Sequence, residues 1–292
     1  MKAFVIGNVA LDETLSIADL PRPGASIFGR TLSNDLGGKG ANQAIAMART
    51  GLACTFAAAI GPGARGEEIA RRLAAEPLDA RLVEIEGVET DLSIILMADA
   101  GENAVITTRE AASAFSPDMA RAALQGAVTG DLLAMQGNLC AETTEAALRR
   151  ARGLGLRTAL NPSPLQPYFG ALWPLVDMAF VNEGEAEALG GVEALLAQGV
   201  GTVVLTLGGR GAALIGADGR RDIPAQPCTV VDTTGAGDCF MATALASAML
   251  RDGRLDERAL THAARAAAHT VARPGTATAF PTVDEMARIL AT

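Results

Sequence analysis

The chain has 292 residues, of which 49% are hydrophobic, 20% charged and only 3% aromatic. That length supports one large domain with a sizeable core, and an aliphatic, aromatic-poor composition favours helices packed on strands over an all-β barrel. The net charge is −9 and the 24 Lys and Arg residues form no block. This argues against a nucleic-acid partner, because phosphate backbones demand clustered positive charge.

The N-terminal run MKAFVIGNVALDE is interrupted by Gly7 and Asn8. It is too short for a signal-peptide core, and no later segment reaches transmembrane length, so no membrane partner is expected. Cys54, Cys140, Cys228 and Cys239 stand far apart without a CxxC pair. Reduced thiols in a soluble, cytoplasmic protein fit that spacing better than a disulfide framework or a zinc site.

Short aliphatic runs predict strands at Ala3–Gly7, Cys54–Gly61, Asp131–Gly137, Arg157–Pro162, Met178–Asn182 and Gly201–Gly208. They are apolar on both faces, as buried parallel strands are. Helical patterns lie between them, at Ala41–Thr50, Glu67–Ala75, Pro117–Gln125, Thr143–Arg152, Glu183–Leu189 and Val192–Gln198. This alternation implies an α/β fold with right-handed crossovers and helices on both faces of a central, mostly parallel sheet. Two segments, Thr14–Leu36 and Leu92–Thr108, alternate as β-strands do instead, the second as a hairpin about DAGEN. Extra strands there would form a small β subdomain or lid on a single domain spanning 1–292. No internal repeat or low-complexity linker is present.

Two glycine-rich loops open onto helices. In DTTGAGDCFMATALASAML, Gly235 and Gly237 precede a stripe of Phe240, Ala244, Leu245 and Ala248. Free N–H groups and the positive dipole end of such a helix favour an anion, and glycine lets it approach. Asp238 in the first turn would repel that anion unless it addresses an acceptor alcohol, taking its proton while the backbone stabilises a migrating phosphoryl group. A lone Asp in a first turn is more often a helix stabiliser; the flanking glycines favour function. The second loop, in NDLGGKGANQAIAMARTG, sets Asn42 near a helix opening, where its amide suits a hydroxyl-rich ligand. Lys39 lacks the spacing of a P-loop lysine. A third stretch contains a GxGxxG at Gly61, Gly63 and Gly66, with Glu84 or Glu86 roughly 20 residues on, which keeps an NAD(P)-binding oxidoreductase as a minor alternative. His262 and His269 share one predicted helix, where either could border a nucleotide but packing is the commoner role. Tyr168 and Trp173 are read as packing, and the nine methionines as core filler.

GGKGANQA, NPSP (Asn161–Pro164), NEGE (Asn182–Glu185), TLGGRG (Thr206–Gly211) and DTTGAGD occur in one order along the chain. Together they resemble the ribokinase, or PfkB-type, carbohydrate kinases over essentially its whole length. The resemblance implies a ribokinase-like fold with a β lid, and often a homodimer made through that lid. It also implies transfer of the ATP γ-phosphoryl group to a hydroxyl of a pentose-like sugar or polyol.

By position, Asp238 resembles the catalytic base and Gly235, Ala236 and Gly237 the anion hole. Asp12, Gly38, Lys39 and Asn42 resemble sugar-contacting positions, and Asn182 with Glu185 the pair that organises Mg²⁺. Thr206, Gly208 and Gly211 resemble nucleotide-site residues. Asp232, Thr234 and Gly275 resemble the loops that hold a monovalent cation, usually K⁺.

Three positions depart from the pattern. Ala10 replaces an Asn, Asn138 stands where the family places a sugar-binding carboxylate, and the lid segment reads REAAS with Arg109 and Glu110. A pocket altered in this way should bond different hydroxyls, because unmatched polar groups are costly. Arg109 is read as a solvated lid-edge residue in preference to a contact for an acidic substrate. Nucleoside, fructose-type and deoxy-sugar kinases remain alternatives within the family, and a non-catalytic sugar sensor outside it.

Overall fold

Strands that are apolar at every position must be covered on both faces, and here they are. The computed structural model describes residues 1–98 and 102–292. In chain order come β1 (Ala3–Ile6), β2 (Ala10–Ile17), β3 (Gly29–Gly37), α1 (Lys39–Arg49), β4 (Cys54–Ile60), α2 (Ala64–Leu73) and β5 (Asp79–Glu84). Next are β6 (Leu92–Ala98), β7 (Asn103–Thr107), α3 (Glu110–Ala114), α4 (Pro117–Ala123), β8 (Leu132–Gln136), α5 (Ala141–Gly153) and β9 (Arg157–Asn161). The remainder holds β10 (Met178–Asn182), α6 (Glu183–Ala188), α7 (Val192–Ala197), β11 (Thr202–Thr206), β12 (Ala212–Gly216) and β13 (Gly219–Ile223). Three helices close the chain: α8 (Ala236–Met249), α9 (Glu257–Val271) and α10 (Val283–Leu290).

The main sheet has the order β13-β12-β11-β10-β9-β8-β1-β4-β5. From β11 to β5 every pairing is parallel, and β12 and β13 add an antiparallel edge. Side chains of one strand alternate between two cores. Ala3 and Val5 join α1, α8 and α9 on one face, while Phe4 and Ile6 join α4, α5 and α7 on the other. All six predicted strands form. Missing from the prediction are β5, whose burial is only partial, and the β12–β13 edge hairpin.

A second sheet stands apart, in the order β3-β2-β6-β7. β2 pairs parallel with β6, while β2–β3 and β6–β7 are antiparallel. It uses the two segments expected to form extra strands, but β2 already starts at Ala10, which brings Asp12 into the sheet. The turn expected at DAGEN lies mostly outside the described residues; β6 and β7 pair on either side of it. This sheet leaves large apolar groups in water: Phe28 is 100% exposed, Val105 58% and Ile106 60%.

Tyr168, Phe169 and Trp173 pack on one another, with ring centroids 4.8 and 5.9 Å apart. The expectation that Tyr168 and Trp173 serve packing therefore holds.

Candidate active site

Crossover connections carry the loops at the carboxyl ends of the parallel strands to one edge of the main sheet, where open α/β sheets bind ligands. Gly235 caps α8 with φ 74°, a left-handed conformation. A Cβ there would stand 2.9 Å from the Phe280 ring, so both the backbone and the space require glycine. The same holds for Gly38, the cap of α1, with φ 88° and a Cβ that would meet the Val9 backbone at 2.8 Å. The first N–H groups of α1 are taken by Asn8, with Gly40 N–H donating to its Oδ1 at 3.4 Å and Ala41 N–H to its carbonyl at 3.1 Å, whereas the mouth of α8 borders the cavities described below.

Asp238, in the first turn of α8, is 5% exposed. Its two oxygens are gripped by neighbouring residues of α1: Asn42 Nδ2 donates to Oδ2 at 3.0 Å and Gln43 Nε2 to Oδ1 at 2.9 Å. Gln43 in turn accepts from Gln136 Nε2 at 2.7 Å, at the end of β8.

Asp12 lies across the site on β2, paired with Asp35 of β3 on one side and Ser93 of β6 on the other. Burial pushes its carboxyl up to about 6, and the charges of Asp35 and Asp238 add to the rise; hydroxyls of Ser93 and Thr276 oppose it. Like charges directly opposite in a sheet are unfavourable. Asp35 is relieved by the loop that follows α9. The N–H groups of Thr276 and Thr278 donate to its Oδ2 at 3.0 and 3.1 Å, and Thr278 Oγ1 at 2.7 Å.

Four buried acceptor atoms have no protein partner: Asp12 Oδ1, Asn42 Oδ1, Gln136 Oε1 and Asn138 Oδ1. Buried polar groups are normally bonded, so such a set needs an explanation. A ligand rich in O–H donors would satisfy those that face it.

On the other side of Asp238, a cavity of about 200 Å³ is lined by Lys39, Asn161, Glu185, Thr206 and Gly235. It shares Asn182, Thr206, Thr233 and Gly237 with a larger cavity of about 550 Å³. The larger one takes in Gly208 and Gly211 and has apolar walls from Val230, Phe240, Ala264 and Val271. It has the size and lining for a nucleoside with its phosphates at the mouth of α8. Asn182 and Glu185 form a capping box at α6: each side chain accepts the other's N–H, at 2.9 and 2.8 Å. Asp232 accepts from Thr234 N–H at 2.9 Å and Gly275 N–H at 3.1 Å, tying two loops together. Among the described residues no three His, Cys, Asp or Glu side chains converge as a metal site. A divalent ion here would rely on Glu185, water and phosphate oxygens, which suits Mg²⁺.

Of the predicted residues, Asn42 bonds Asp238 directly, Lys39, Asn182, Glu185, Thr206, Gly235 and Gly237 line the cavity beside it, and Ala236, Gly208 and Gly211 line the larger one, whereas Asp12, Gly38, Asn138, Asp232, Thr234 and Gly275 line neither. Sequence reasoning missed Gln43, Gln136, Asp35, Ser93 and Thr276. Gln43 adjoins Asn42 and Gln136 precedes Asn138 by two residues, so the two lay one and two residues from a flagged position.

Two readings kept only as minor alternatives are not favoured by the structure. Gly61 and Gly66 of the GxGxxG make room for protein, since a Cβ on Gly61 would lie 1.8 Å from Val88 O and one on Gly66 2.3 Å from Gly61 O, while Gly63 is required by its φ of 99°. Thr90 exchanges hydrogen bonds with the Gly61 backbone, so no dinucleotide fits there. Neither histidine lines the nucleotide-sized cavity. His262 is buried and meets Ser247 Oγ at 2.8 Å, its imidazole held below the usual range by burial. His269 Nε2 lies 3.0 Å from Glu285. Arg109 is exposed at the cap of α3. A further cleft, of about 510 Å³ at the amino ends of β9–β11, contains Arg157 and Arg254, but Arg254 is paired with Asp218.

The profile of the pfkB family carbohydrate kinases matches residues 3–283. The ribokinase of Haemophilus influenzae is 31% identical over 299 residues, covering 98% of this chain and 97% of that one. Among solved structures, the ribokinase of Thermotoga maritima superposes with a TM-score of 0.89 at 24% identity, over 100% of both chains. An Arabidopsis thaliana ribokinase complexed with ribose and ATP gives a TM-score of 0.86 at 24% identity, over 100% of this chain and 99% of that one. The two structural likenesses establish a shared fold.

Proposed function

Because the chain belongs to the pfkB family of carbohydrate kinases, we propose that it transfers the γ-phosphoryl group of ATP to a hydroxyl of a pentose-sized sugar or polyol. The observation that carries this reading is the position of Asp238. It lies buried at a helix mouth, with Asp12 and its unpartnered acceptors on one side and the nucleotide-sized cavity on the other.

Asp12, Asn42 and Asn138 accept hydrogen bonds from the sugar's hydroxyls, and the backbone at Gly38 and Lys39 closes the pocket floor. Asp238 takes the proton of the attacking hydroxyl. The freed oxygen pair forms the new bond to γ-phosphorus as the bond to the β–γ bridging oxygen breaks, and ADP leaves with that electron pair. Backbone N–H groups at Gly235, Ala236 and Gly237 meet the charge on the migrating group. Thr206, Gly208 and Gly211 border the nucleotide. Mg²⁺, held through Glu185 and Asn182, would neutralise phosphate charge when bound with ATP. The loops joined by Asp232, Thr234 and Gly275 would hold K⁺, adding fixed positive charge beside the phosphate site. The second sheet serves as the lid that keeps water out. Its exposed apolar face, with Phe28 and Ile106, pairs with a second copy as a homodimer. No described helix is long and apolar enough to cross a membrane, and a cytoplasmic site of action goes with ATP as substrate.

The test is ADP release with Mg²⁺ and ATP across pentoses, hexoses, deoxy-sugars, polyols and nucleosides, in K⁺ and in Na⁺. Turnover with a neutral pentose or polyol is expected. Preference for a nucleoside, a fructose-type sugar or a deoxy-sugar would move the substrate within the family. Binding without turnover for every acceptor would mean a sensor.

A further inference from the structure

Asp238 has no cation within its hydrogen-bond shell; what holds its carboxylate is a file of amides. Among the described residues its two oxygens accept only from the Asn42 and Gln43 side chains. An ionised carboxylate accepts and cannot donate, so both amides must turn their NH₂ groups toward it. For Gln43 this leaves its carbonyl oxygen pointing away, where Gln136 Nε2 donates to it at 2.7 Å. The three members come from α8, α1 and β8, at 0% exposure for Gln43 and 1% for Gln136. Space for the file is built into the backbone: a Cβ on Gly7 would lie 2.0 Å from Gln136 Oε1.

Asn42 and Gln43 differ in one respect. Asn42 keeps an unpartnered buried oxygen that a ligand could satisfy, whereas both ends of the Gln43 amide are taken by protein.

We propose that Gln43, itself oriented by Gln136, is a positioning residue that fixes the Asp238 carboxylate toward the acceptor hydroxyl and never touches substrate. Without the Gln43 donor, the carboxylate would be held through one oxygen only and could swing about its Cβ–Cγ bond. Small angular errors at a reacting group are costly in rate. The proposal rests on the kinase reading above, in which Asp238 is the base.

The test uses the full-length protein. Gln43→Met keeps length and volume but cannot donate; Gln43→Glu keeps shape but replaces the donor with an acceptor. Both should lower kcat roughly ten- to hundredfold, as loss of a supporting partner to a catalytic group typically does, while KM for acceptor and for ATP stays within about threefold. In an Asp238→Asn background, Gln43→Met should change the residual rate by less than about twofold, because its only route of action is gone. Gln136→Met should lower kcat in the same direction by a smaller factor and decides the matter if the Gln43 variants do not fold. Full additivity of Gln43→Met with Asp238→Asn, or a loss carried by KM, would overturn the proposal. So would unchanged kcat in folded variants. A thermal-melt cycle over the same four proteins reads the Gln43–Asp238 coupling without turnover. If the wild type is inactive on all acceptors, the kinase reading fails, whereas an active wild type with no coupling refutes the relay alone.

Discussion

Asp12→Asn should make the protein more stable at pH 8 while disabling it. The Asp12 carboxyl sits opposite Asp35 in the second sheet and is buried, and its titration rises from the ordinary 3.8 to about 6. The folded state therefore holds that proton more tightly than the unfolded chain does. Stability from this group is fully present below pH 3.8 and declines as pH climbs through about 6. That interval of about two pH units, at about 1.4 kcal/mol each, amounts to about 3 kcal/mol of folding free energy forgone above pH 6. An uncharged Asn of the same shape recovers part of it and still accepts from Thr276 through its carbonyl oxygen. Melting curves of wild type and variant at pH 4, 5, 6, 7 and 8 isolate residue 12, because every other group is common to both. The variant should melt roughly 5 °C higher at pH 8, with the gap closing toward pH 4. Acceptor turnover should fall about a hundredfold in kcat/KM, since bonds from hydroxyls to a charged acceptor contribute about 1.5–3 kcal/mol. In wild type, acceptor KM should rise as pH drops below about 6. A variant that melts lower than wild type at pH 8, or a gap independent of pH, would refute the electrostatic account.

Gly235→Ala should lose about 2 kcal/mol of stability and most of its turnover, because φ 74° strains a side-chain-bearing residue and the new methyl meets the Phe280 ring; calorimetry and ADP release check it, and wild-type values would show the loop tolerates a Cβ. Burial pushes the Cys54 thiol up to about 12 and that of Cys239 up to about 11. Maleimide labelling followed by mass spectrometry should therefore spare both and find Cys228, which is exposed on the wall of the nucleotide-sized cavity, with ATP slowing its reaction. Equal rates with and without ATP would put the nucleotide elsewhere. Phe28→Asp combined with Ile106→Asp should convert a dimer to a monomer in light scattering with the fold kept, as charge on an apolar sheet face opposes its burial. A wild type that is already monomeric would end the lid-to-lid proposal.

The amino-acid sequence by itself determined the elements whose signal is local. CTFAAAI and the strands like it are apolar at every position, which requires burial on both faces and hence a parallel sheet under helices. The glycine loops were legible because a positive φ followed by a helix leaves a mark in residue type, and Asp238 stood out as the first carboxylate past Gly235 and Gly237. β5, with the pattern DARLVE, and β13, with GRRDI, escaped because edge strands are half in water and carry no such mark. What only the tertiary structure decided is who faces whom. Asp12 meets Asp35 and Ser93 because three strands fall into one register; its titration is raised first by burial and then by the Asp35 charge, while Ser93 opposes the rise. The NxxE of Asn182 and Glu185 turned out to close a capping box as well as to border the smaller cavity beside Asp238. Gln43 lies 195 residues from Asp238 and 93 from Gln136 in the chain. No local pattern encodes those meetings: they exist because β8, α1 and α8 are packed by apolar contacts spread over the whole core, which bring Gln43 within 3 Å of Asp238 on one side and of Gln136 on the other.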